Sequence, residues 1–158
     1  MEGEFNSKSR EHLEKFHPNL KSILIEALTI TELDFEILEG PQGKKRQEHL
    51  WYKGEITTEG GPAMYGSGAY LGIYIGGIIC FSASIYTELA TSISYSASNL
   101  GYSIAWGGAY SKHEGLKDIT KINYGTLEDL VSECHEEARE GEYDYVPRVN
   151  YFELMFED

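Results

Sequence analysis

Residues 69–81, "AYLGIYIGGIICF", are the stretch of sequence that decides the fold. Apolar and aromatic side chains fill it on both sides of Gly76 and Gly77, a glycine pair that favours a tight turn. The stretch therefore predicts one or two β-strands with a turn at the glycines. It is too short and too rich in glycine to span a membrane.

Helices are predicted on both sides of this stretch. Pro18 suits the first turn of a helix, and the apolar residues that follow it recur at helical spacing. A serine-rich helix is stopped by Gly101, and an acidic one begins with Thr126 as N-cap and Asp129 in a pattern close to a capping box. A helix with a basic start is expected to end at Gly54. These predicted helices cover residues 19–30, 44–54, 82–101 and 126–142.

Short strands are predicted where apolar residues lie between turn signals. They cover residues 34–40 ("DFEILEG"), 102–108 ("YSIAWGG") and 149–156 ("VNYFELMF"), and residues 55–68 are expected to form a loop. The order of elements predicts an α+β fold with helices against an antiparallel sheet. Residues 1–158 are expected to form a single domain, with the option that residues 1–15 are a flexible N-terminal segment.

The composition restricts the classes of partner. The 158 residues carry a formal net charge of −13, and a chain this acidic repels nucleic acid and anionic membranes on average. The N-terminal residues are polar and lack the apolar segment of a signal peptide, so a cytoplasmic protein is expected. Cys80 and Cys134 do not suggest a disulfide framework.

Several segments occur in an order that is known from one family. They are "HPNL" (17–20), "DFEILEG" (34–40), "KRQEHL" (45–50), "YIGG" (74–77), "LGYSIAWGGAY" (100–110) and "YFEL" (151–154). The chain thereby resembles the zinc-dependent D-alanyl-D-alanine carboxypeptidases and L-alanyl-D-glutamate endopeptidases, which include VanY-like enzymes and small phage endolysins. The resemblance covers residues 16–154. It implies a Hedgehog/D-Ala-D-Ala-peptidase-like fold, an antiparallel sheet flanked by helices.

The resemblance also implies a zinc site, but other residues stand at its ligand positions. The family binds zinc through the motif S-x-H-x-x-G-x-A-x-D and a later histidine. With Gly66 aligned to the motif glycine, the ligand positions fall on Ala63, Tyr70 and Tyr151, and the general-base position falls on Arg148. Catalytic zinc needs about three protein ligands and an open position for water. We therefore expect no metal, no cofactor and no catalytic residue, that is, a pseudoenzyme rather than an enzyme.

Neither another alignment nor the histidines restore a metal site. If Ser67 is taken as the motif serine, the ligand positions fall on Ala69 and Gly76, which supply no ligand either. The five histidines do not form an H-x-x-x-H or H-E-x-x-H pair. In the adjacent pair Cys134 and His135, the two side chains point to different sides of a helix.

An aromatic and cationic surface is predicted in place of the metal. Four tyrosines and one arginine would line or flank the former cleft, and three basic residues begin the predicted helix at 44–54, where free backbone N–H groups attract anions. The candidate ligand-binding residues are Lys44, Lys45, Arg46, Tyr65, Tyr70, Tyr74, Arg148 and Tyr151. Each of these two predictions has an alternative that stays open. For the tyrosines, the alternative is that they fill the cavity as core. For the basic run, it is an ordinary solvated helix turn.

The leading hypothesis from the sequence is a non-catalytic, phage-encoded binding protein in the cytoplasm of the host cell. It would sequester a small anionic ligand, such as a nucleotide immune signal, or inhibit a host protein. The alternatives are a peptidoglycan-peptide binding module or remnant endolysin, an active peptidase with an unrecognised metal site, and an acidic protein–protein inhibitor or DNA mimic. A homo-oligomer is left open, and no membrane partner is expected.

Overall fold

The computed structural model describes residues 4–39, 66–112, 114–145 and 147–155. The helices and strands in these ranges are α1 (Ser7–Leu13), α2 (Pro18–Ile30), β1 (Asp34–Glu39), β2 (Gly68–Ile75), β3 (Ile78–Cys80), α3 (Ala83–Leu100), β4 (Ser103–Ser111), β5 (Gly115–Asp118), α4 (Tyr124–Glu140) and β6 (Tyr151–Met155). The predicted α+β class is confirmed. The predicted helix at 44–54 and most of the predicted loop at 55–68 lie outside the described residues.

The hairpin of β2 and β3 forms within residues 69–81, as predicted. Ile73 pairs with Cys80 across the two antiparallel strands. The φ angle is 58° at Gly76 and 81° at Gly77. Two successive left-handed residues match the twist of the flanking strands, and glycine adopts this conformation without steric cost.

The strands form one antiparallel sheet in the order β1-β2-β6-β4-β5, and β3 also pairs with β2. Strand β6 is the last strand along the described chain, yet it lies between β2 and β4. Tyr70 of β2 is paired with Tyr151 of β6, and Ala105 of β4 is paired with Glu153. The sheet therefore brings together residues that are far apart in the sequence.

One face of the sheet carries the hydrophobic core. Phe35, Leu71 and Phe152 lie on neighbouring strands, are fully buried, and belong to one apolar cluster with Leu24 of α2 and Ile93 of α3. Successive strand residues point to opposite faces, so the residues that alternate with these side chains face away from the core. The opposite face of β2 and β6 is where the polar side chains of the candidate site lie.

The helix ends follow local capping chemistry. Pro18 is the first residue of α2, and α3 ends at Gly101 with a φ of 81°, as predicted. The prediction of Thr126 as an N-cap is wrong: the side chain of Asn123 caps α4 by accepting a hydrogen bond of 2.8 Å from the N–H of Thr126. No helix within the described ranges is both long and apolar enough to cross a membrane.

Two short elements were not predicted from the sequence. Helix α1 is mostly polar and buries only Ser9 and Leu13. Its residues 7–13 lie in the segment for which flexibility was considered. Strand β5 has four residues and no alternation of apolar side chains, and it is held by its pairing with β4.

Helix α1 covers the outer edge of β1. The hydroxyl of Ser9 accepts a hydrogen bond of 2.9 Å from the backbone N–H of Ile37 and donates one to the carboxylate of Glu36. The same carboxylate accepts from the backbone N–H of Asn6 at 3.1 Å. An unpaired strand edge exposes backbone donors that can pair with another chain, and these bonds satisfy one of them.

Replacing Ser9 by alanine should destabilise the protein. Ser9 is only 1% exposed, and its removal leaves the N–H of Ile37 without its partner, which costs about 1–3 kcal/mol for a buried group. Urea denaturation of Ser9→Ala should show this loss, whereas Ser7→Ala, an exposed position of the same helix, should unfold like the unmodified protein. Equal stabilities of the two variants would show that the bond to the edge of β1 contributes nothing.

Candidate functional site

Two of the predicted tyrosines meet across neighbouring strands. Tyr70 of β2 and Tyr151 of β6 are paired in the sheet, on the face turned away from the core. Their ring centroids are 4.7 Å apart and the ring planes are inclined by 42°. Tyr151 is only 3% exposed, while Tyr70 is half-buried. The structure therefore buries one of the two tyrosines and leaves the other partly accessible.

Arg148 contacts both rings. Its Nη1 donates a hydrogen bond of 3.0 Å to the hydroxyl of Tyr70. Its guanidinium carbon lies 4.4 Å from the centroid of the Tyr151 ring, within the range of a cation–π contact. The bond to Tyr70 uses one of the five N–H donors of the guanidinium. The arginine is half-buried, so its charge is held at the surface of the sheet.

The backbone that carries Arg148 is anchored to β4. The N–H of Arg148 donates to the carbonyl of Gly107 at 2.9 Å, and the indole N–H of Trp106 donates to the carbonyl of Val149 at 2.7 Å. There is no room for a side chain at Gly107, since a Cβ there would lie 2.3 Å from the carbonyl oxygen of Arg148. The glycine thus permits the close approach of the two backbones.

Two residues after Arg148, the backbone of Asn150 is anchored on the other side, to β2. The carbonyl of Asn150 accepts a hydrogen bond of 2.8 Å from the N–H of Leu71, and the carbonyl of Arg148 accepts one of 3.1 Å from the N–H of Tyr151. Together with the bonds to β4, these contacts fix the short segment that precedes β6 from both sides. The backbone position from which the arginine side chain projects is therefore set by the sheet.

A carboxylate completes the group. Tyr151 donates its hydroxyl hydrogen to Oε2 of Glu153 at 3.3 Å. Burial, followed by the neighbouring Glu153, raises the pKa of Tyr151 well above its usual range, so the phenol stays neutral. Burial also raises the pKa of Glu153, while the bond from Tyr151 and the charge of Arg148 act in the opposite direction. We call Tyr70, Arg148, Tyr151 and Glu153 the tyrosine–arginine cluster.

The structure gathers three of the predicted ligand-binding residues and separates a fourth. Tyr70, Arg148 and Tyr151 belong to the cluster. Tyr74 lies four residues further along β2 than Tyr70, about 13 Å away at the usual rise per residue, opposite Asp34 of β1. The remaining predicted residues, Lys44, Lys45, Arg46 and Tyr65, lie outside the described residues.

Glu153 is the member of the cluster that sequence reasoning missed. It stands two residues after Tyr151 in β6, so the alternation of a strand places both side chains on the same face. This alternation was readable in the segment "YFEL". The order of the strands, which was not predicted from the sequence, buries this carboxylate and brings it under the influence of the charge of Arg148.

The cluster does not fit a zinc ion. Among the described residues, no group of three or more histidine, cysteine, aspartate or glutamate side chains is placed to hold a metal. Only Glu153 in the cluster is an ordinary zinc ligand, and the phenols of Tyr70 and Tyr151 are bonded to Arg148 and to Glu153. A guanidinium about 4 Å from a divalent cation would repel it by roughly 8 kcal/mol at an effective dielectric constant of 20.

The comparisons with known proteins show the family. The model of the phage L-alanyl-D-glutamate peptidase family matches residues 1–130, most of the chain, so the chain belongs to this family. A solved structure, the Serratia marcescens L-Ala D-Glu endopeptidase ChiX, is similar with a TM-score of 0.69 at 19% sequence identity, and the match covers 98% of this chain and 92% of that chain. At this identity the likeness shows a shared peptidase-like fold. A search of curated proteins gave no match.

These findings confirm the predicted family and correct one prediction. The relationship to L-alanyl-D-glutamate peptidases and the peptidase-like fold are confirmed. The prediction that the chain is a pseudoenzyme and not an enzyme is contradicted, because the matching family is one of peptidases. Its error was to infer the loss of activity from the residues at a few aligned positions, of which Ala63 lies outside the described residues.

Replacing Gly107 by alanine should disturb the cluster through Arg148. The added Cβ meets a backbone carbonyl rather than a flexible side chain, so the segment before β6 must shift, at a cost of about 1–3 kcal/mol. Urea denaturation should show this loss. The matched control is Gly125→Ala in the first turn of α4, where the nearest atom would be 3.6 Å from the Cβ and the helix gains up to about 1 kcal/mol. A fully stable Gly107→Ala protein would contradict the described approach.

Replacing Glu153 by glutamine should change how stability depends on pH. The folded state raises the pKa of Glu153, so the contribution of this group is full below its unfolded pKa, about 4.3, and is lost as the pH rises through the folded value. Glutamine resembles the protonated form at every pH. Glu153→Gln should therefore be more stable than the unmodified protein at neutral pH, with the difference shrinking toward pH 4, in urea titrations at several pH values. A difference that grows on acidification would contradict the raised pKa.

Proposed function

We propose that the chain is a phage peptidase that acts on the acidic peptides of peptidoglycan at the L-alanyl-D-glutamate bond. Family membership over residues 1–130 is the observation that carries this proposal. The similar fold of an L-Ala D-Glu endopeptidase is consistent with it. The cluster adds a specific role, because a peptide that contains D-glutamate presents a free carboxylate.

The tyrosine–arginine cluster has the chemistry to bind that carboxylate. A guanidinium pairs with a carboxylate through parallel N–H···O bonds, which are stronger than neutral hydrogen bonds. Arg148 is held in place by its own backbone bonds and by two aromatic neighbours, so little freedom is lost on binding. Tyr70 is half-buried, and its hydroxyl lies beside the guanidinium as a second polar contact.

The charge of the whole chain makes this local contact more important. With a net charge of −13, the protein repels an anionic peptide at long range, and electrostatic steering does not help association. Affinity for an acidic peptide must then come from contacts at the site itself. The guanidinium of Arg148 supplies such a contact. Its charge also opposes the rise in the pKa of Glu153 that burial causes.

A second candidate function uses the same residues. The partly accessible ring of Tyr70 beside a guanidinium is a surface on which a base can stack while its phosphate pairs with the arginine. Sequestration of a small anionic ligand such as a nucleotide is therefore a second proposal, and inhibition of a host protein is its extension. The acidic inhibitor, the DNA mimic, the homo-oligomer and the cytoplasmic location stay predictions.

Cleavage of a synthetic peptide tests the first proposal. A peptide that contains the L-alanyl-D-glutamate bond should be cut there, as detected by mass spectrometry, and a peptide with D-glutamine in place of D-glutamate should be cut more slowly. Arg148→Gln removes a charge-assisted contact worth about 1.5–3 kcal/mol, so kcat/KM should fall by about 10-fold or more. Arg139→Gln, an exposed arginine of α4, is the control and should behave like the unmodified protein.

The results separate the two proposals. If both peptides stay intact and neither binds in calorimetry, the peptidase proposal is wrong. If a nucleotide binds instead, and Arg148→Gln abolishes this binding, the second proposal takes its place. If the peptide is cut equally well by Arg148→Gln, the activity stands but its carboxylate contact lies elsewhere.

A further inference from the structure

We infer that the guanidinium of Arg148 is the resident cation of the tyrosine–arginine cluster, and that it binds the carboxylate of the peptide where zinc-dependent relatives place a metal ion. The identity of the ligand rests on the proposed function, whereas the replacement of a metal by an arginine does not.

The charge lies where the two strands meet. In the register of the sheet, Tyr70 and Tyr151 are direct partners, and they stand at two positions that the family resemblance assigns to metal ligands. Arg148 contacts both of them, one through a hydrogen bond of 3.0 Å and the other through its ring at 4.4 Å. A single positive group therefore occupies the region between the two side chains.

The surrounding oxygens are arranged for this cation. The hydroxyl of Tyr70 accepts a hydrogen bond from Arg148. The hydroxyl of Tyr151 donates to Glu153, so its hydrogen is turned toward a carboxylate and its ring face toward the guanidinium. The positive charge of Arg148 opposes the rise in the pKa of Glu153 that burial causes. Each member of the cluster thus has a partner that is consistent with an arginine at its centre.

The support of the arginine is rigid. Hydrogen bonds to Gly107 on β4 and from Leu71 on β2 hold the segment that carries Arg148, and a Cβ at position 107 would collide with it. A side chain on a fixed backbone, with its tip held by two tyrosines, is not readily displaced by a metal ion. The site therefore offers a preorganised guanidinium to an anion.

The first experiment needs no ligand. The full-length protein is purified, its metal content is measured, and its Tm is recorded with EDTA and with added ZnCl2. We expect the Tm of the unmodified protein and of Glu153→Gln to respond to zinc in the same way, because the carboxylate of Glu153 binds no metal. About one zinc per chain that raises the Tm, and that is lost in Glu153→Gln or Tyr70→Phe, would overturn the inference.

The second experiment uses the dipeptide L-alanyl-D-glutamate as the probe, with calorimetry in EDTA. The dissociation constant should be the same with and without EDTA, should rise 10-fold or more in Arg148→Gln, and should take an intermediate value in Arg148→Lys, which keeps the charge but loses the planar fork. Loss of binding in EDTA that is restored by zinc would overturn the inference.

The variant Glu153→Gln distinguishes a resident arginine from a resident metal ion, because the two cases predict opposite effects on dipeptide binding. If Arg148 is the resident cation, removal of the neighbouring negative charge should tighten dipeptide binding several-fold. If Glu153 is a metal ligand, the same variant should weaken binding and lower the metal content, which would overturn the inference. Should the dipeptide fail to bind any variant while the zinc response of the Tm stays independent of Glu153, the proposed substrate is wrong and the arginine still stands in place of the metal.

Discussion

The pairing of β6 with β2 is the constraint on which the rest of the structure depends. It places Tyr151 opposite Tyr70, and it sends Phe152 to the opposite face, where it joins the apolar core. A shift of the register by one residue would exchange the two faces, placing Tyr151 in the core and Phe152 in the polar cluster. The hydrophobic side of β6 therefore also fixes the geometry of its polar side.

The polar side is stable because each group has a partner. Tyr151 and Glu153 are largely buried, and buried polar groups are costly unless they are bonded. The phenol stays neutral and donates to the carboxylate, while Arg148 contributes the compensating charge. Loss of Arg148 or of the Tyr151 hydroxyl would leave the buried carboxylate of Glu153 without that partner, which is costly.

Local chemistry decided how far the sequence could be interpreted. The hairpin at Gly76 and Gly77 was predictable because successive left-handed residues favour glycine, and α2 was predictable from its spacing and from Pro18. The N-cap of α4 was misplaced by three residues, because both Asn123 and Thr126 are good caps and the spacing of apolar residues does not choose between them. Helix α1 has too few apolar residues for a helical pattern, and the tertiary contacts of Ser9 hold it.

The candidate site was predictable only in part. Tyr70, Arg148 and Tyr151 followed from the family resemblance, and the sheet register brings them together. Glu153 was missed, because its importance arises from burial and from the sheet order rather than from its residue type. The prediction of lost activity failed for a related reason, because it rested on single aligned positions. The residue at such a position shows only that the usual ligand is absent there, whereas family membership rests on most of the chain.

The place of β6 in the sheet has a consequence for synthesis on the ribosome. Strands β2 and β4 emerge long before β6, yet each needs β6 as its neighbour. Until β6 is translated, the nascent chain exposes two strand edges and lacks both Tyr151 and the anchored segment that carries Arg148. Long-range pairing of this kind forms late, so the nascent chain gains its tyrosine–arginine cluster only after β6 has been translated. A truncated translation product would therefore be prone to aggregate and would lack the cluster.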